Sequence, residues 1–410
     1  MTVKSVKTGN SATLAVGNTS VAKPEAPTIG AATTIDDTSA TVAYTIATKG
    51  AIGTTFTATS TPSSITGTGA SPITVSGLTG STSYTFTVKA TNANGDSPES
   101  SASSSITTNA PVAIRGLFVG GQPVSNPAVN IDYIEIATTG NAVNFGDLTF
   151  GAYDCPGVNG NKTRVVIGGG QRRVSNVNAY SNILDYVTVA TTGNATDFGD
   201  LTVARQCTSG GSETRGLWLS GYDGSNRSNV IDYVTIASTG NATDFGDTTF
   251  SRDGARSCAS PTRALVGGGS TGVATASIDK VTIATLGNGS NYGDLASARF
   301  IHNSFSSNTR GLFAMGTNGG DFKQDIGYVT IATDGNSTNF GNASIATNGS
   351  AGTSSSVRGV FGGGDNASGK ANFIDYVTIA TTGNATDFGD LTAAKNSLGA
   401  GSNGHGGISA

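Results

Sequence analysis

Residues 374–391 read IDYVTIATTGNATDFGDL, and near-copies of this stretch recur toward the N-terminus: IDYVTIASTGNATDFGD at 231–247 and LDYVTVATTGNATDFGDL at 184–201. Weaker versions start at Ile131, Ile278 and Ile326, which makes six copies spaced by 53, 47, 47, 48 and 48 residues. Each copy couples a Val/Ile/Tyr-rich run to a Thr-Gly-Asn turn and a second short run opened by an aromatic, the pattern of two antiparallel strands joined by a tight turn.

Repeats of this length built from short strands predict an all-β fold in which residues 111–410 form a six-bladed β-propeller. Each repeat also holds an Arg-led run ending in glycines: RGLFVGG (115–121), RVVIGGG (164–170), RGLWLSG (215–221), RALVGGG (263–269), RGLFAMG (310–316) and RGVFGGG (358–364). Between one DFGDL run and the next Arg run lie about fifteen residues such as TVARQCTSGGSET, read as an innermost strand of small side chains at the crowded centre. The first repeat begins directly at Arg115, and the chain closes with AAKNSLGAGSNGHGGISA (393–410). That segment is expected to supply the missing inner strand of the first sheet, leaving no open edge. Ile231, Tyr233, Val234 and Ile236 are apolar on both parities, as a strand covered on both faces requires. Gly193, Gly240 and Gly383 sit in the turns, where a positive φ is expected.

The layout of these repeats resembles that of kelch repeats, with Phe145, Phe198, Phe245, Tyr292, Phe340 and Phe388 in the aromatic place that kelch units usually fill with Trp. Upstream, residues 25–110 alternate differently. In TSYTFTVKATNANGDSP (82–98), Tyr84, Phe86, Val88 and Ala90 fall on one face and Thr85, Thr87 and Lys89 on the other, a half-buried strand before an Asn-Gly turn. Leu78, Tyr84, Phe86, Val88, Ala90, Asn92 and Gly95 together resemble the fibronectin type III pattern. That resemblance implies a seven-stranded sandwich with Tyr84 as its tyrosine corner and Tyr44 where the family usually has a buried Trp. Residues 1–24, ending in KPEAP, read as an arm or linker that attaches to a partner.

Composition excludes several classes of function. With 59 glycines in 410 residues, 12% charged residues and a net charge of −4, the chain offers no basic field, and nucleic-acid binding is not expected. There is no run of eighteen apolar residues for a membrane span and no apolar stretch of the kind a secretory signal needs near Met1. Cys155, Cys207 and Cys258 are an odd, sparse set that points to assembly in a reducing cytoplasm, and His302 and His405 with no CxxC spacing leave no zinc or copper site; no cofactor is expected.

Two carboxylate series recur, Asp132, Asp185, Asp232, Asp279 and Asp375 with Gly327 breaking the run, and Asp147, Asp200, Asp247, Asp294 and Asp390 with Asn342 as its exception. Paired carboxylates can hydrolyse glycosides. Residues repeated in every unit, however, serve turns and strand ends far more often. The same holds for Arg115, Arg164, Arg215, Arg263, Arg310 and Arg358, read as pairing with a carboxylate or carbonyl at the sheet edge instead of ringing a polyanion site. The Asn-Ala-Thr triplets at 194–196, 241–243 and 384–386 match a glycosylation sequon but belong to the repeated turn.

What varies between repeats is the loop after the glycines, where a rigid scaffold would display binding groups. The candidates are Arg172, Arg173 and Tyr180 in the second repeat, Tyr222, Asp223 and Arg227 in the third, and Asp321, Phe322 and Lys323 in the fifth. Aromatic and polar side chains together suit a sugar face and its hydroxyls. The Gly/Ser/Thr/Asn-rich composition, the fibronectin type III pattern and the DYVTIATTGNATDFGDL repeat with its NGHGG ending resemble virion structural proteins of tailed phages, those of marine cyanobacterial phages in particular. The resemblance implies a non-enzymatic tail fibre or head decoration on the virion surface. In that setting the arm and sandwich bind other virion proteins, and copies act together on a host polysaccharide. The alternatives are a purely architectural virion subunit and a polysaccharide depolymerase.

Overall fold

The computed structural model describes residues 22–48, 50–110, 113–123, 128–154, 156–174 and 177–408, without the side chains of residues 173, 174, 177 and 178. The arm expected at 1–24 lies almost wholly outside the described residues, and so does Cys155. All regular structure among them is β, and the chain divides into two compact units between Val112 and Ala113.

In the first unit, Thr28–Thr34, Ser39–Thr45 and Ile73–Ser76 form one antiparallel sheet. Thr66–Thr68, Thr55–Thr61, Ser83–Asn92 and Gly95–Asp96 form the other, with Ile106–Thr107 paired to the start of Ser83–Asn92. The period-two alternation places Tyr84, Phe86, Val88 and Ala90 inside with Ala40, Val42, Tyr44, Phe56, Ala58, Ile73, Val75 and Leu78. Tyr84 is 1% exposed, and its hydroxyl accepts the backbone N–H of Thr79 at 2.9 Å, which is the tyrosine-corner contact expected of it. Tyr44 stacks on Phe56 at 4.7 Å between ring centroids and donates its hydroxyl to the Gly69 carbonyl. The last strand is replaced over most of its length by a serine zipper. Ser97, Ser100 and Ser103 each donate a backbone N–H to Ala90, Val88 and Phe86 and accept the N–H of the same residue on their hydroxyls. Hydroxyls here stand in for the carbonyls of a ladder.

Among the described residues the second unit holds six four-stranded antiparallel sheets, none closed into a barrel. From inside outward, a complete repeat runs Gln206–Gly211, Arg215–Tyr222, Arg227–Thr235 and Thr243–Asp247. The first sheet lacks a preceding inner strand and takes it from the C-terminus, Gly399–Ser402 pairing antiparallel with Arg115–Val119 from Gly399↔Val119 to Ser402↔Gly116. Each sheet buries one hydrophobic cluster against the next. Leu117, Val119 and Phe145 meet Val165 and Val187 between the first and second sheets, and Ile374 and Phe388 meet Phe118 and Ile134 between the sixth and the first. At about 25 cal/mol per Å² of apolar surface buried, these seams are the main stabilising term for strands that have no other partner.

The outer strands are not left as open edges. Gly240 and Ala242, in the turn of the third sheet, donate their N–H groups to the carbonyls of Phe198 and Asp200 in the second, and the same pair of bonds links every sheet to its successor, Gly140 and Ala142 donating to the carbonyls of Phe388 and Asp390 across the last joint. This approach demands glycine at Gly199, where φ is +148° and a Cβ would overlap the Gly240 carbonyl oxygen. The expectation for the turn glycines holds at Gly240, with φ +153°, and fails at Gly193 and Gly383, whose φ lies outside the left-handed region and whose Cβ direction is open space. The steric demand sits one strand earlier, on the glycine that receives the turn.

Candidate functional site

The repeated polar residues are spent on joints between sheets. Arg164 lays its guanidinium 4.3 Å from the ring centroid of Tyr186 in its own sheet and donates Nη1 to the Ile236 carbonyl of the next at 3.0 Å. Arg215, Arg310 and Arg358 repeat both contacts. In the fourth sheet Lys280 replaces the tyrosine; Arg263 keeps the carbonyl contact, to Ile331 at 3.0 Å, and shares Asp334 with Lys280. The second aspartate series contributes backbone: the N–H of Asp200 donates to Asn241 Oδ1 at 3.1 Å, and that of Asp390 donates to Asn141 Oδ1 at 3.0 Å.

The first aspartate series is buried and met by a series of cations that the repeat pattern alone did not single out. Asp232 is held by Arg205 at 2.7 Å and by the Thr202 hydroxyl, Asp279 by Arg252 at 2.9 Å and by Thr249, and Asp132 by Lys395 at 2.9 Å and by Thr392. A Thr-x-x-Arg/Lys spacing after the outer strand carries this series. Asp185 and Asp375 have hydroxyl or amide donors from Thr149 and Ser344 but no cation in that place, and burial pushes both carboxyls up from their ordinary value. Where Gly327 breaks the series, Arg299 turns to Asp325.

The variable positions gather at the opposite end of each sheet from the Arg anchors, where the Gly-Gly pairs and the starts of the inner strands lie. There the hairpin Gln171–Val174/Val177–Tyr180 follows the second sheet's Arg strand and pairs with Ala152–Tyr153 in a small sheet of its own, and the third sheet is lengthened by the long pair Arg215–Tyr222/Arg227–Thr235. This brings two of the expected residues together: Tyr180 and Tyr222 meet edge to face at 5.7 Å, beside Gly224. Arg227 joins the same corner through an ion pair with Asp253 at 3.1 Å. The other expected residues fall elsewhere. Arg172 folds inward over the Phe150 ring at 3.6 Å and onto the Ser181 hydroxyl. Asp223 caps its own turn, accepting the N–H groups of Ser225 and Asn226 at 2.7 Å, and those bonds hold its carboxyl below the usual range. The Arg173 side chain lies outside the described residues. Among the described residues no ring contact, ion pair or hydrogen bond links Asp321, Phe322 or Lys323 to Tyr180 or Tyr222.

Asp154, which no sequence pattern marked, adds a titratable group. Burial pushes its carboxyl up to about 6, opposed by Arg256 and reinforced by Asp253; burial also pushes Tyr180 up to about 12, and the Asp154 charge adds to that rise. Its φ of +61° is a property of the repeat, since Gly254, Ile301, Gly349 and Ser397 hold the same place at +60°, +52°, +65° and +55°.

The six inner strands enclose a cavity of about 80 Å³ lined by residues such as Asn159, Ser209, Arg256, Ser304, Thr353 and Gly401. Serines zip one strand to the next: Ser306, Ser354 and Ser402 donate in turn to the carbonyls of Ala259, Ser306 and Ser354. The equivalent places in the second to fourth sheets are Gly160, Gly211 and Ala259, too small to continue the chain of hydroxyls. There the segment after the last strand lies down instead. His405 Nε2 donates to the Gly160 carbonyl at 2.8 Å while its Nδ1 accepts the Gly407 N–H, and Gly406 and Gly407 press on the carbonyls of Ser307 and Gly211 so closely that a Cβ would overlap them. One end of the cavity is thereby capped, and the end bearing Arg256 faces the Asp154 corner.

Among the described residues no group of three or more His, Cys, Asp or Glu is placed to hold a metal, and no helix is long and apolar enough to cross a membrane. Comparison with curated proteins finds no match to the chain. The corner contact of Tyr84, the packed face of Phe86, Val88 and Ala90 and the two-sheet pairing coincide with a family match, and residues 25–106 are a fibronectin type III domain.

Proposed function

We propose that residues 113–408 form a six-bladed β-propeller of kelch-like layout, carried with the fibronectin type III domain on the surface of a bacteriophage particle, and that it is a non-enzymatic adhesin for surface polysaccharide. Six four-stranded sheets in succession, each sharing a core with the next and the sixth with the first, support the propeller. The observation that carries the adhesive reading is the tyrosine corner. The repeated arginines and aspartates are consumed by joints between sheets, whereas Tyr180 and Tyr222 stand on a hairpin and a strand extension that lie outside the repeated four-strand pattern. Aromatic faces flanked by the Arg227–Asp253 pair supply apolar contact and hydrogen-bonding groups to a sugar.

The test is affinity electrophoresis of the full chain through gels containing host-surface polysaccharides. Retention by one of them, weakened about tenfold by Tyr180→Ala or Tyr222→Ala, is expected, equivalent to about 1.4 kcal/mol. Equal mobility in every gel overturns it. One observation favours a second reading, a depolymerase: Asp154, at about 6, has the perturbed carboxyl of a general acid, with Asp253 beside it. New reducing ends in the same gels would establish that activity.

A further inference from the structure

Of the three buried ion pairs in the aspartate series, those inside the ring of repeats use arginine, Arg205–Asp232 and Arg252–Asp279, whereas the pair joining the last repeat to the first uses lysine, Lys395–Asp132. The difference is chemical, because a guanidinium is inert toward a carboxyl group and a desolvated amine is a nucleophile. Lys395 and Asp132 are 1% and 0% exposed, and Nζ lies 2.9 Å from Oδ2, yet neither atom has an aligned hydrogen bond. The other carboxylate oxygen, Oδ1, accepts the Asn130 side-chain amide at 2.8 Å and the Thr392 hydroxyl at 2.8 Å. The carboxyl group is thus polarised, with two donors on the oxygen that would carry charge and the amine against the one that would leave. Burial also holds the Lys395 ammonium below its ordinary value, against the pull of Asp132, which favours the neutral amine.

We propose that Lys395 and Asp132 condense to an intramolecular isopeptide bond that covalently closes the ring of repeats. The ammonium passes one proton to Oδ2, and the neutral Nζ attacks Cγ while Asn130 and Thr392 hold the negative charge gathering on Oδ1. Nζ then gives a second proton to Oδ2, the Cγ–Oδ2 bond breaks, and one water leaves. The new amide keeps Oδ1 and a single N–H, so no oxidant or other reactant is needed. Preorganisation in a dry site supplies what a free amine and carboxylic acid lack in water. The inference stands whether or not the chain binds polysaccharide.

The test is the intact mass of the denatured full chain, purified and then held folded at neutral pH, with peptide mapping of the digest. The expected result is a chain one water lighter than its sequence and a linked peptide pair joining Lys395 to Asp132. Lys395→Arg, which keeps a cation of the kind Arg205 and Arg252 present, is expected at the full mass of its own sequence, and in denaturing gels the wild type runs ahead of it as a looped chain. Full mass in the wild type before and after incubation overturns the proposal, and so does a lost water that maps to any other residue.

Discussion

Arg358 Nη1 lies 2.9 Å from the carbonyl oxygen of Ile136, and Arg215 Nη1 lies 2.7 Å from that of Ile283. The first contact joins the sixth sheet to the first, and the second joins sheets adjacent in sequence, so the closing joint has the same chemistry as an internal one. A charged donor on a carbonyl contributes about 1.5–3 kcal/mol, and stacking on tyrosine adds to it. Arg358→Ala and Arg215→Ala are therefore expected to destabilise the second unit by similar amounts, about 2 kcal/mol each, measured by urea unfolding. A negligible loss for Arg358→Ala beside a full loss for Arg215→Ala would mean that the closing joint is open in solution.

Gly199 and Gly193 separate two uses of glycine that look alike in the repeat. Gly199 has φ +148° and the Gly240 carbonyl where its Cβ would go, whereas Gly193 faces open space. Gly199→Ala must push the turn off its neighbour and is expected to cost about 3 kcal/mol, with Gly193→Ala within about 0.5 kcal/mol of wild type. Thermal unfolding of the two variants decides it, and equal shifts would refute the assignment.

Asp154 sets a pH dependence of definite sign. Its carboxyl moves from 3.8 to about 6 on folding, so between those values the folded chain binds more protons than the unfolded one. Its contribution to stability is then largest in acid and falls as pH rises from about 4 to 6. Asp154→Asn removes the titration while keeping a residue type that tolerates positive φ. The variant is expected to match the wild type at pH 4 and to unfold at a higher urea concentration at pH 7. A wild-type advantage at pH 7 would show that the Arg256 charge outweighs burial.

The repeat was legible because its strands are covered on both faces and each outer strand needs glycine where the neighbouring turn lies against it. Both constraints act on residue type at fixed spacing, and both recur six times. The arginine anchors were also legible as edge contacts, although their target, a carbonyl one sheet away, is backbone and leaves no mark of its own. The cations opposite the buried aspartates were missed for a different reason. Arg205, Arg252, Arg299 and Lys395 are matched by Ala152 and Thr347 in the other two repeats, and they sit in segments read only for small side chains. At the loop end, Tyr180 and Tyr222 could be nominated as aromatics on variable loops. That Asp223 would be consumed by its own turn and Arg172 by Phe150 depends on local geometry that one sequence does not display.

His405 supplies the last test, because the cap it forms requires the neutral ring. Nε2–H donates to Gly160 and Nδ1 accepts from Gly407, so a second proton on the imidazole breaks the latter contact. Burial holds its folded value below the ordinary 6.5, against the pull of the Gly160 carbonyl. The stability it contributes is therefore complete above that value and is lost as pH falls through the folded one. Two hydrogen bonds of this kind contribute about 1–2 kcal/mol, so His405→Ala is expected to lower stability by that amount at pH 7.5. The gap between wild type and variant should then close steadily as the urea titration is repeated toward pH 5. His302, buried and likewise depressed, titrates in both proteins and cancels in the comparison. A gap that stays constant with pH would show that the cap is held by Gly406 and Gly407 without the imidazole.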